Sequence, residues 1–539
     1  MTNKDTSKTT AKSETKEWTV MVYMAGDNNL SQDMITGLKG MMSVGDKANI
    51  NLIAVYDGNY PTAPIKVYEF SKSLNDKPER PRLEDYVADI ELPKPRRTNE
   101  ADLCKLKDFV PLITERYKAR KYALILSGHS DGVIGKTLLR DENPSVSLDL
   151  QTLGRILKDV LPKDADGKKK KFDLLGFDGC LMSMIEVGYE LKDAAKILVA
   201  SEGNIPTSGW AYEKILADII SGAGKMDEAE FAKSIVKQYG EFNEDYAVSG
   251  RSVNITACNL DNIEPLYKAI QNFAKSLYDL LSLPTEAGEG VTEAEALENK
   301  LVKEKFIDWI TLSHYRSQTF MHGQAVDIVD FIYNLLMYSE KSRLISREVY
   351  GELPKNKTTA KIERKKRAFF NDFLAINKAI KEKDKKYTLA SCFVGAEYQF
   401  TQGNSIFFPW TRMAFAMIYD KYKSLKFNKT KHWLNLIDKF TSLTIRYHQQ
   451  TPAFAKSADN SLDTDLISLL HKEVGGKEVG GKEVGGKEVG GKEVGGKEVG
   501  GKEVGGKGGT EEFYFYFSQI RNYDTEVFSM GYADETSFI

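Results

Sequence analysis

The sequence predicts an α/β domain built around a mostly parallel sheet. Short apolar runs, each nearly continuous in hydrophobicity, recur in the first half of the chain and end in Gly, Asp or Ser. They begin at Trp18, Asn51, Tyr122, Phe172 and Lys196. Strands that helices cover on both faces have this pattern. Segments with helical spacing lie between the runs, for example from Glu100 and from Leu150, and this alternation indicates a layered α/β domain.

The chain changes character after about residue 259. Apolar residues between Ile263 and Leu281 follow helical spacing, and an acidic connection is expected over residues 283–299. Further helical pattern follows in AVDIVDFIYNLLMY. Two strand-like pieces, YTLASCFVGA and NSIFFPW, either extend the first sheet or form a second one.

These changes in pattern divide the chain into five regions. They are a disordered tail (1–16), the α/β domain (17–258), a helix-rich region (259–450), a linker (451–509) and an aromatic segment (510–539). The linker holds seven KEVGG repeats over residues 472–506, whose low apolar content predicts a flexible spacer. Five consecutive aromatic residues begin at Phe513, and we expect them to dock on the body of the protein or on a partner, since they would aggregate if exposed.

Composition excludes two broad classes of partner. The formal net charge is −2, so there is no global electrostatic case for binding nucleic acid or a membrane surface. The basic residues of segment 355–367 lack interleaved aromatic residues, which favours a solvated helix face over a nucleic-acid site. No apolar stretch reaches the length of a transmembrane helix. The polar N-terminus lacks the apolar centre of a signal peptide, so the chain is expected to be cytosolic or exported with its signal removed.

The four cysteines differ in context. Cys104, Cys258 and Cys392 lie in apolar surroundings and are predicted core residues, whereas Cys180 ends an apolar run in FDLLGFDGC. Their wide spacing contains no CxxC pair, no zinc pattern and no compact disulfide framework. No cofactor or metal is therefore required by any motif.

Two predicted strand ends carry residue types suited to nucleophilic catalysis. YALILSGHSDG presents His129, and FDLLGFDGC presents Cys180, 51 residues later. Functional groups gather at the carboxyl ends of parallel strands, and an imidazole can deprotonate a neighbouring thiol. A separation of about 50 residues is also found in caspase-type sites, where the two strands are neighbours. Gly128 and Gly179 flank the pair and are predicted to leave backbone amides free for an oxyanion.

Three other interpretations were weighed against this dyad. GHSDG fits the G-x-S-x-G pattern of serine esterases, with Ser130 as the nucleophile. The segment after it is short and rich in β-formers, however, where that elbow needs a long helix. A glutaminase-type elbow would use a glycine directly after Cys180, and the chain has leucine there. A catalytically inactive interaction protein is the remaining alternative.

At these residues the chain resembles the clostripain family of cysteine peptidases, within the caspase-like clan. The resemblance keeps family order over roughly residues 17–440. The matching pieces are MVYMAGDNNL, LILSGHSDG, FDLLGFDGCLMSMIEVGYEL, ASEGNIPTSGWAY and GNSIFFPW. It implies a caspase-like layered α/β fold and peptide or protein substrates.

The resemblance also implies roles for single residues. His129 and Cys180 would form the catalytic dyad, and Asp178 would be the acidic residue of the primary specificity pocket. Family members prefer Arg or Lys before the scissile bond, which an acidic pocket explains by charge pairing. The chain departs from the family at Ser130, where glycine is common, and at Ser208, where an acidic residue is common. The resemblance further implies calcium dependence, although no calcium-loop motif is present.

Self-processing is expected in the segment that joins the two catalytic strands. Clan members often mature by a cut there. Arg140 opens the turn-rich stretch RDENPS, and a basic run from Lys168 to Lys171 precedes the second strand. Exposed loop tips of this kind are easily nicked, so we predict cleavage after Arg140 or Lys171.

Overall fold

An eight-stranded sheet lies at the centre of the described part of the computed structural model. The structure describes residues 15–45, 49–58, 65–71, 80–92, 104–135, 137–142, 145–222, 225–244, 251–338, 357–381 and 386–450. Described residues up to Leu443 belong to one compact unit, and those from Thr444 belong to a second. In chain order the strands are β1 (Lys16–Gly26), β2 (Ile50–Gly58), β3 (Lys66–Glu69), β4 (Ala119–Ser127), β5 (Asp141–Glu142), β6 (Ser145–Val146), β7 (Phe172–Asp178), β8 (Ala195–Ala200), β9 (Val253–Asn259), β10 (Thr319–Phe320), β11 (Ala325–Asp327), β12 (Thr388–Val394) and β13 (Ser405–Phe407).

The sheet is mostly parallel, as predicted. Its strand order is β12-β9-β8-β7-β4-β1-β2-β3, and the five strands from β8 to β2 run parallel. β3 and β9 run antiparallel to their neighbours, and β12 pairs antiparallel with β9. β12 comes from the C-terminal region, so this region adds a strand to the main sheet. β13 instead joins β10 and β11 in a small separate sheet.

The helices cover the sheet on both faces. They are α1 (Ser31–Val44), α2 (Cys104–Arg116), α3 (Leu150–Asp159), α4 (Ile185–Leu191), α5 (Tyr212–Ser221), α6 (Glu228–Phe242), α7 (Ile263–Leu281), α8 (Glu293–Arg316), α9 (Lys357–Lys381), α10 (Arg412–Lys423) and α11 (His432–Gln450). Residues 328–338 are also helical. Among the described residues, no helix combines the length and apolarity needed to cross a membrane.

Burial on both faces explains the continuous apolar runs. In β1, Val20, Val22 and Met24 face a core that α1, α5 and α6 complete. The alternate residues Met21 and Tyr23 are also buried, toward the opposite face. Successive side chains of a strand point to opposite faces, so a strand between two helical layers needs apolar residues at every position.

Two predictions about organisation differ from the structure. The connection predicted over residues 283–299 is shorter, because α8 begins at Glu293 behind a capping box formed by Thr292 and Glu295. The T-x-x-E spacing was the signal for this helix start. The boundary predicted at residue 258 falls inside β9, a strand of the main sheet. The KEVGG repeats and the aromatic segment lie outside the described residues.

Candidate active site

His129 and Cys180 occupy equivalent positions at the ends of neighbouring strands. β4 and β7 pair in parallel, with Ser127 opposite Asp178 in the register. His129 and Cys180 each follow two residues later on their own chain segments. The prediction that the two strands are neighbours is therefore confirmed. The side chains of both residues are half-buried.

One cleft at this edge of the sheet contains both side chains. It holds about 580 Å³ of empty space, including its open mouth. The first turns of α1 and the loop after β8 form its walls, and the ends of β4 and β7 form its base. Lining residues from these elements include Asp33, His129, Asp178, Cys180, Ile205 and Ser208.

The Cys180 thiol is held by the loop that follows β8. The N–H of Ile205 donates to Cys180 Sγ at 3.3 Å. Burial raises the pKa of the Cys180 thiol, the Ile205 amide opposes that rise, and the charges of Asp131 and Asp178 add to it. The resting cysteine is therefore protonated near neutral pH, and a base must remove its proton before it can attack a carbonyl.

The His129 imidazole is kept neutral by its surroundings. Burial lowers its pKa, as does the nearby charge of Arg140, while Asp131 and Glu142 act in the opposite direction. Its Nε2 lies 2.6 Å from Oδ1 of Asn29, at the end of β1. A neutral imidazole beside a protonated thiol can act as a general base. The sequence reasoning missed Asn29, although its place directly after an apolar run, in MAGDNNL, was a usable signal.

The backbone after Cys180 is strained. Leu181 adopts a φ of 62°, in the left-handed region that non-glycine residues rarely occupy. The conformation is supported by burial of the leucine and by its N–H, which donates to the Gly203 carbonyl at 3.1 Å. A left-handed backbone conformation therefore follows Cys180 even though the residue there is leucine and not glycine. Strained backbone of this kind often occurs at functional sites.

Of the two flanking glycines, Gly128 departs from the prediction that both leave a free amide, while the structure shows a packing role for Gly179. The N–H of Gly128 donates to the Asp178 carbonyl at 3.1 Å, so this amide is committed and does not supply an oxyanion donor. At Gly179, a Cβ atom would lie 2.5 Å from Oγ of Ser130 and 2.6 Å from the Gly128 carbonyl. Glycine is needed there because the loops of β4 and β7 touch.

Ser130 links the loop after β4 to the loop after β7. Its side chain is buried, and its Oγ donates to the Cys180 carbonyl at 2.7 Å. A hydroxyl committed to a carbonyl and buried away from the cleft cannot reach a substrate. This geometry disfavours the esterase alternative.

Asp178 lies at the base of the cleft. Ser127 Oγ and Tyr212 O–H donate to its Oδ2 at 3.0 and 2.9 Å. Burial raises the pKa of the Asp178 carboxyl, against the effect of these donors and of the Trp210 amide. Its Oδ1 is buried and accepts no hydrogen bond within the described protein. An acidic group with one unused oxygen therefore borders the cleft beside Cys180.

Gly209 allows the loop to approach this carboxylate. It adopts a φ of 66°, and a Cβ atom there would lie 2.7 Å from Asp178 Oδ2. Any larger residue would be both strained and in collision. The neighbouring Ser208 also lines the cleft. It occupies the position at which the resemblance led us to expect an acidic residue.

Arg140, the first predicted processing site, lies near His129, and the bond that follows it is held by neighbouring residues. Arg140 is exposed, as predicted, and its charge is close enough to lower the pKa of His129. Its carbonyl, however, accepts a hydrogen bond from Asn28 Nδ2 at 2.7 Å. The next residue, Asp141, is buried and lies 3.6 Å from Lys105 Nζ. The bond after Arg140 is therefore not in a free loop tip.

Lys171, the second predicted processing site, directly precedes β7. Its Nζ pairs with Asp261 Oδ1 at 2.6 Å, across an exposed surface. The preceding Lys170 pairs with the buried Asp173 at 2.9 Å. Ion pairs on both residues hold this basic run against the sheet, whereas Lys168 is exposed.

The other described cysteines are unsuited to catalysis. Cys258 and Cys392 are each 1% exposed, and burial raises the pKa of both thiols to about 12. Both are core residues, as predicted, while the side chain of Cys104 lies outside the described part. Within the described residues, no group of three or more His, Cys, Asp or Glu side chains is arranged to hold a metal ion.

A family model decides where the chain belongs. The model of the clostripain family matches residues 22–440, which contain the whole site described above. The chain belongs to the clostripain family. Clostripain from Hathewaya histolytica is 30% identical over 241 residues, which cover 40% of this chain and 45% of that protein. The chain thus spans about half the length of this curated relative.

Two solved structures of C11 proteases are similar to the chain. One is an inactive zymogen C11 protease from Parabacteroides distasonis, at 17% identity and a TM-score of 0.48, covering 77% of this chain and 98% of that one. The other is a secreted C11 cysteine protease from Bacteroides thetaiotaomicron in complex with an irreversible peptide inhibitor. It has 17% identity and a TM-score of 0.47, covering 77% of this chain and 99% of that one.

Membership of the clostripain family supports the cysteine over the serine as nucleophile. The family match covers the segment that holds His129, Ser130 and Cys180. Of these three residues, His129 and Cys180 line the cleft and Ser130 does not.

Proposed function

We propose that this chain is a cysteine endopeptidase in which His129 and Cys180 form the catalytic dyad. The observation that carries the proposal is the pairing of β4 with β7, which brings both residues to one cleft in matched register. Membership of the clostripain family supports the same reaction class.

The reaction begins with transfer of the Cys180 proton to His129. The thiolate then attacks the carbonyl carbon of the scissile peptide and forms a tetrahedral oxyanion. Collapse of this intermediate breaks the C–N bond, and the His129 imidazolium gives its proton to the departing amine. A water molecule, deprotonated by His129, hydrolyses the resulting thioester and restores the thiol. A neutral resting imidazole suits this sequence, since it must accept a proton twice.

The backbone N–H groups of Ser130 and Cys180 are the donors best suited to stabilise the oxyanion. Neither N–H donates a hydrogen bond within the described protein, in contrast to the committed N–H of Gly128. The hydroxyl of Ser130 bonds the Cys180 carbonyl and so ties the loop that carries the Ser130 amide to the loop that carries the Cys180 amide. Preorganised amides of this kind stabilise a developing negative charge without reorganisation.

Specificity for Arg or Lys before the scissile bond follows from Asp178. Its carboxylate borders the cleft and has one oxygen without a hydrogen bond in the described protein. A cationic side chain that enters would pair with that oxygen and stabilise the charged form of the carboxyl. The half-buried carboxylate of Asp33, on the opposite wall, adds to the negative potential.

Self-processing between the catalytic strands is the third part of the proposal. Both Arg140 and Lys171 provide the basic residue that the specificity requires. The hydrogen bond from Asn28 and the burial of Asp141 mean that a cut after Arg140 needs prior release of that segment. The calcium dependence implied by the resemblance stays a prediction, and no step above involves a metal.

Substitutions at the dyad test the proposed reaction. Cys180→Ala and His129→Ala should each abolish cleavage of a fluorogenic peptide with Arg before the scissile bond. Ser130→Ala should retain most of the peptidase activity, because it loses only the hydrogen bond from the Ser130 hydroxyl to the Cys180 carbonyl. An active Cys180→Ala protein would exclude the cysteine mechanism. A wild-type protein that cleaves no peptide and leaves Cys180 unlabelled by a basic peptide electrophile would favour the inactive interaction protein.

Incubation of purified protein tests self-processing. The wild-type chain should yield fragments whose new N-terminus follows Arg140 or Lys171, and Cys180→Ala should stay intact. Arg140→Gln and Lys171→Gln then identify the site. A fully active wild-type chain that stays uncut would end this part of the proposal, as would identical nicking in Cys180→Ala.

A further inference from the structure

We propose that Asn29 is a positioning residue that sets the tautomer and orientation of His129. The inference rests on the proposed dyad and adds a third member to it. In this arrangement the imidazole donates its Nε2–H to Asn29, and Nδ1 is the nitrogen that accepts the proton of Cys180.

The contact itself assigns the proton. Nε2 of His129 lies 2.6 Å from the side-chain oxygen Oδ1 of Asn29. An amide oxygen accepts hydrogen bonds and cannot donate them, so with the Asn29 amide in this orientation Nε2 carries the hydrogen. A neutral imidazole has one N–H, which leaves the lone pair on Nδ1. When Nδ1 takes the thiol proton, the same Nε2–H belongs to an imidazolium, and its bond to Asn29 becomes charge-assisted and stronger.

The loop at the end of β1 is built to hold this oxygen in place. Asn28 is fully buried and uses its side chain to bond three backbone groups: its Nδ2 donates to the carbonyls of Ala25 and Arg140, and its Oδ1 accepts from the Leu30 amide. β1 pairs with β4 on the side opposite β7, so this loop lies beside the strand that presents His129. Asn28 therefore fixes the backbone, and the exposed Asn29 side chain reaches the imidazole.

An amide suits the charge balance at His129 better than a carboxylate would. Burial and the charge of Arg140 lower the pKa of His129, which keeps the resting base neutral. An aspartate at position 29 would stabilise the imidazolium at rest and raise that pKa. Asparagine provides the orienting acceptor without adding a fixed charge, so the histidine stays available to accept a proton.

The test compares two substitutions of Asn29 with a matched control. Asn29→Ala should lower kcat about 10- to 100-fold, part of what a general base contributes, with KM changed by less than about twofold. Asn29→Asp restores the acceptor and should recover most of the kcat, and its acid limb of kcat/KM should move to higher pH. Asn435→Ala removes an exposed asparagine side chain on α11 and should match wild type. Iodoacetamide alkylation of Cys180 across pH provides a readout without substrate, in which the low-pH edge of the alkylation rate should move to higher pH in Asn29→Asp.

Several outcomes would overturn the inference. It fails if Asn29→Ala keeps the wild-type kcat and pH profile, or if Asn29→Asp leaves the acid limb in place. It also fails if Asn29→Ala and Asn29→Asp are equally impaired while both melt like wild type. The activity of His129→Ala distinguishes failure of the proposed role of Asn29 from failure of the proposed dyad. If His129→Ala is active, the proposed function falls, whereas an inactive His129→Ala beside an unimpaired Asn29→Ala removes only the role of Asn29.

Discussion

The replacement Asp178→Asn tests the proposed specificity most directly. Asparagine has nearly the same shape as aspartate, and its side-chain oxygen can keep the hydrogen bonds from Ser127 and Tyr212. The substitution therefore removes the charge at the base of the cleft and preserves the local packing. We expect the protein to fold normally and to lose its preference for basic side chains.

The size of the effect follows from the burial of Asp178, which is 6% exposed. Removing one partner from a buried, hydrogen-bonded charge pair costs about 3–5 kcal/mol, and a single hydrogen bond to a charged group contributes about 1.5–3 kcal/mol. The substrate cation keeps some access to water at the open cleft, so a loss of about 2–4 kcal/mol is expected. At about 1.4 kcal/mol for each factor of ten, kcat/KM for an Arg substrate should fall roughly 30- to 1,000-fold.

The assay uses three peptides that differ only in the residue before the scissile bond: Arg, Lys and citrulline. Citrulline has nearly the shape of arginine but no charge. Wild type should prefer Arg and Lys strongly, whereas Asp178→Asn should treat Arg and citrulline alike. Tyr212→Phe is the matched control, since it removes one donor to the carboxylate and should cause a smaller loss.

Equal losses on all three peptides would refute this reasoning. That result would mean that Asp178 holds the loops around Cys180 in place and does not pair with the charge of the substrate side chain. A wild-type preference for acidic or apolar residues would also refute it, and would leave the dyad untouched.

Three further substitutions probe the site and its support. Glu142→Gln removes a charge that raises the pKa of His129, so the acid limb of kcat/KM should move to lower pH by a few tenths of a unit at low salt and return at high salt. Gly209→Ala places a methyl group against the carboxylate in a left-handed backbone conformation, so peptidase activity should be lost and the melting temperature should fall. Lys105→Met removes the ammonium group that pairs with the buried carboxylates of Asp57 and Asp141 and should lower the free energy of unfolding by about 3–5 kcal/mol in urea titrations, with Lys107→Met as an exposed control on the same helix. An acid limb that moves upward, an active Gly209→Ala, or an unchanged urea midpoint for Lys105→Met would each contradict the corresponding assignment.

The sequence by itself predicted the architecture and the two residues that we propose as the catalytic dyad. Strands buried on both faces need continuous apolar runs, so five strands could be predicted without any tertiary information: β1, β2, β4, β7 and β8. His129 and Cys180 stood at the ends of two such runs, and the carboxyl ends of parallel strands meet at one edge of a sheet. That the two strands are neighbours was predicted from the caspase-type spacing of about 50 residues, and the structure confirms it.

Tertiary structure alone decided the state of the groups around the dyad. The N–H of Gly128 donates to the Asp178 carbonyl, and the Ser130 hydroxyl donates to the Cys180 carbonyl. The side chain of Asn29 contacts His129 although the two residues are 100 positions apart in the sequence. Burial sets the pKa of Asp178 and of the thiol, and burial is a property of the packed loops. Hydrogen-bond partners and desolvation depend on which loops meet in space, and no local pattern of residues records that.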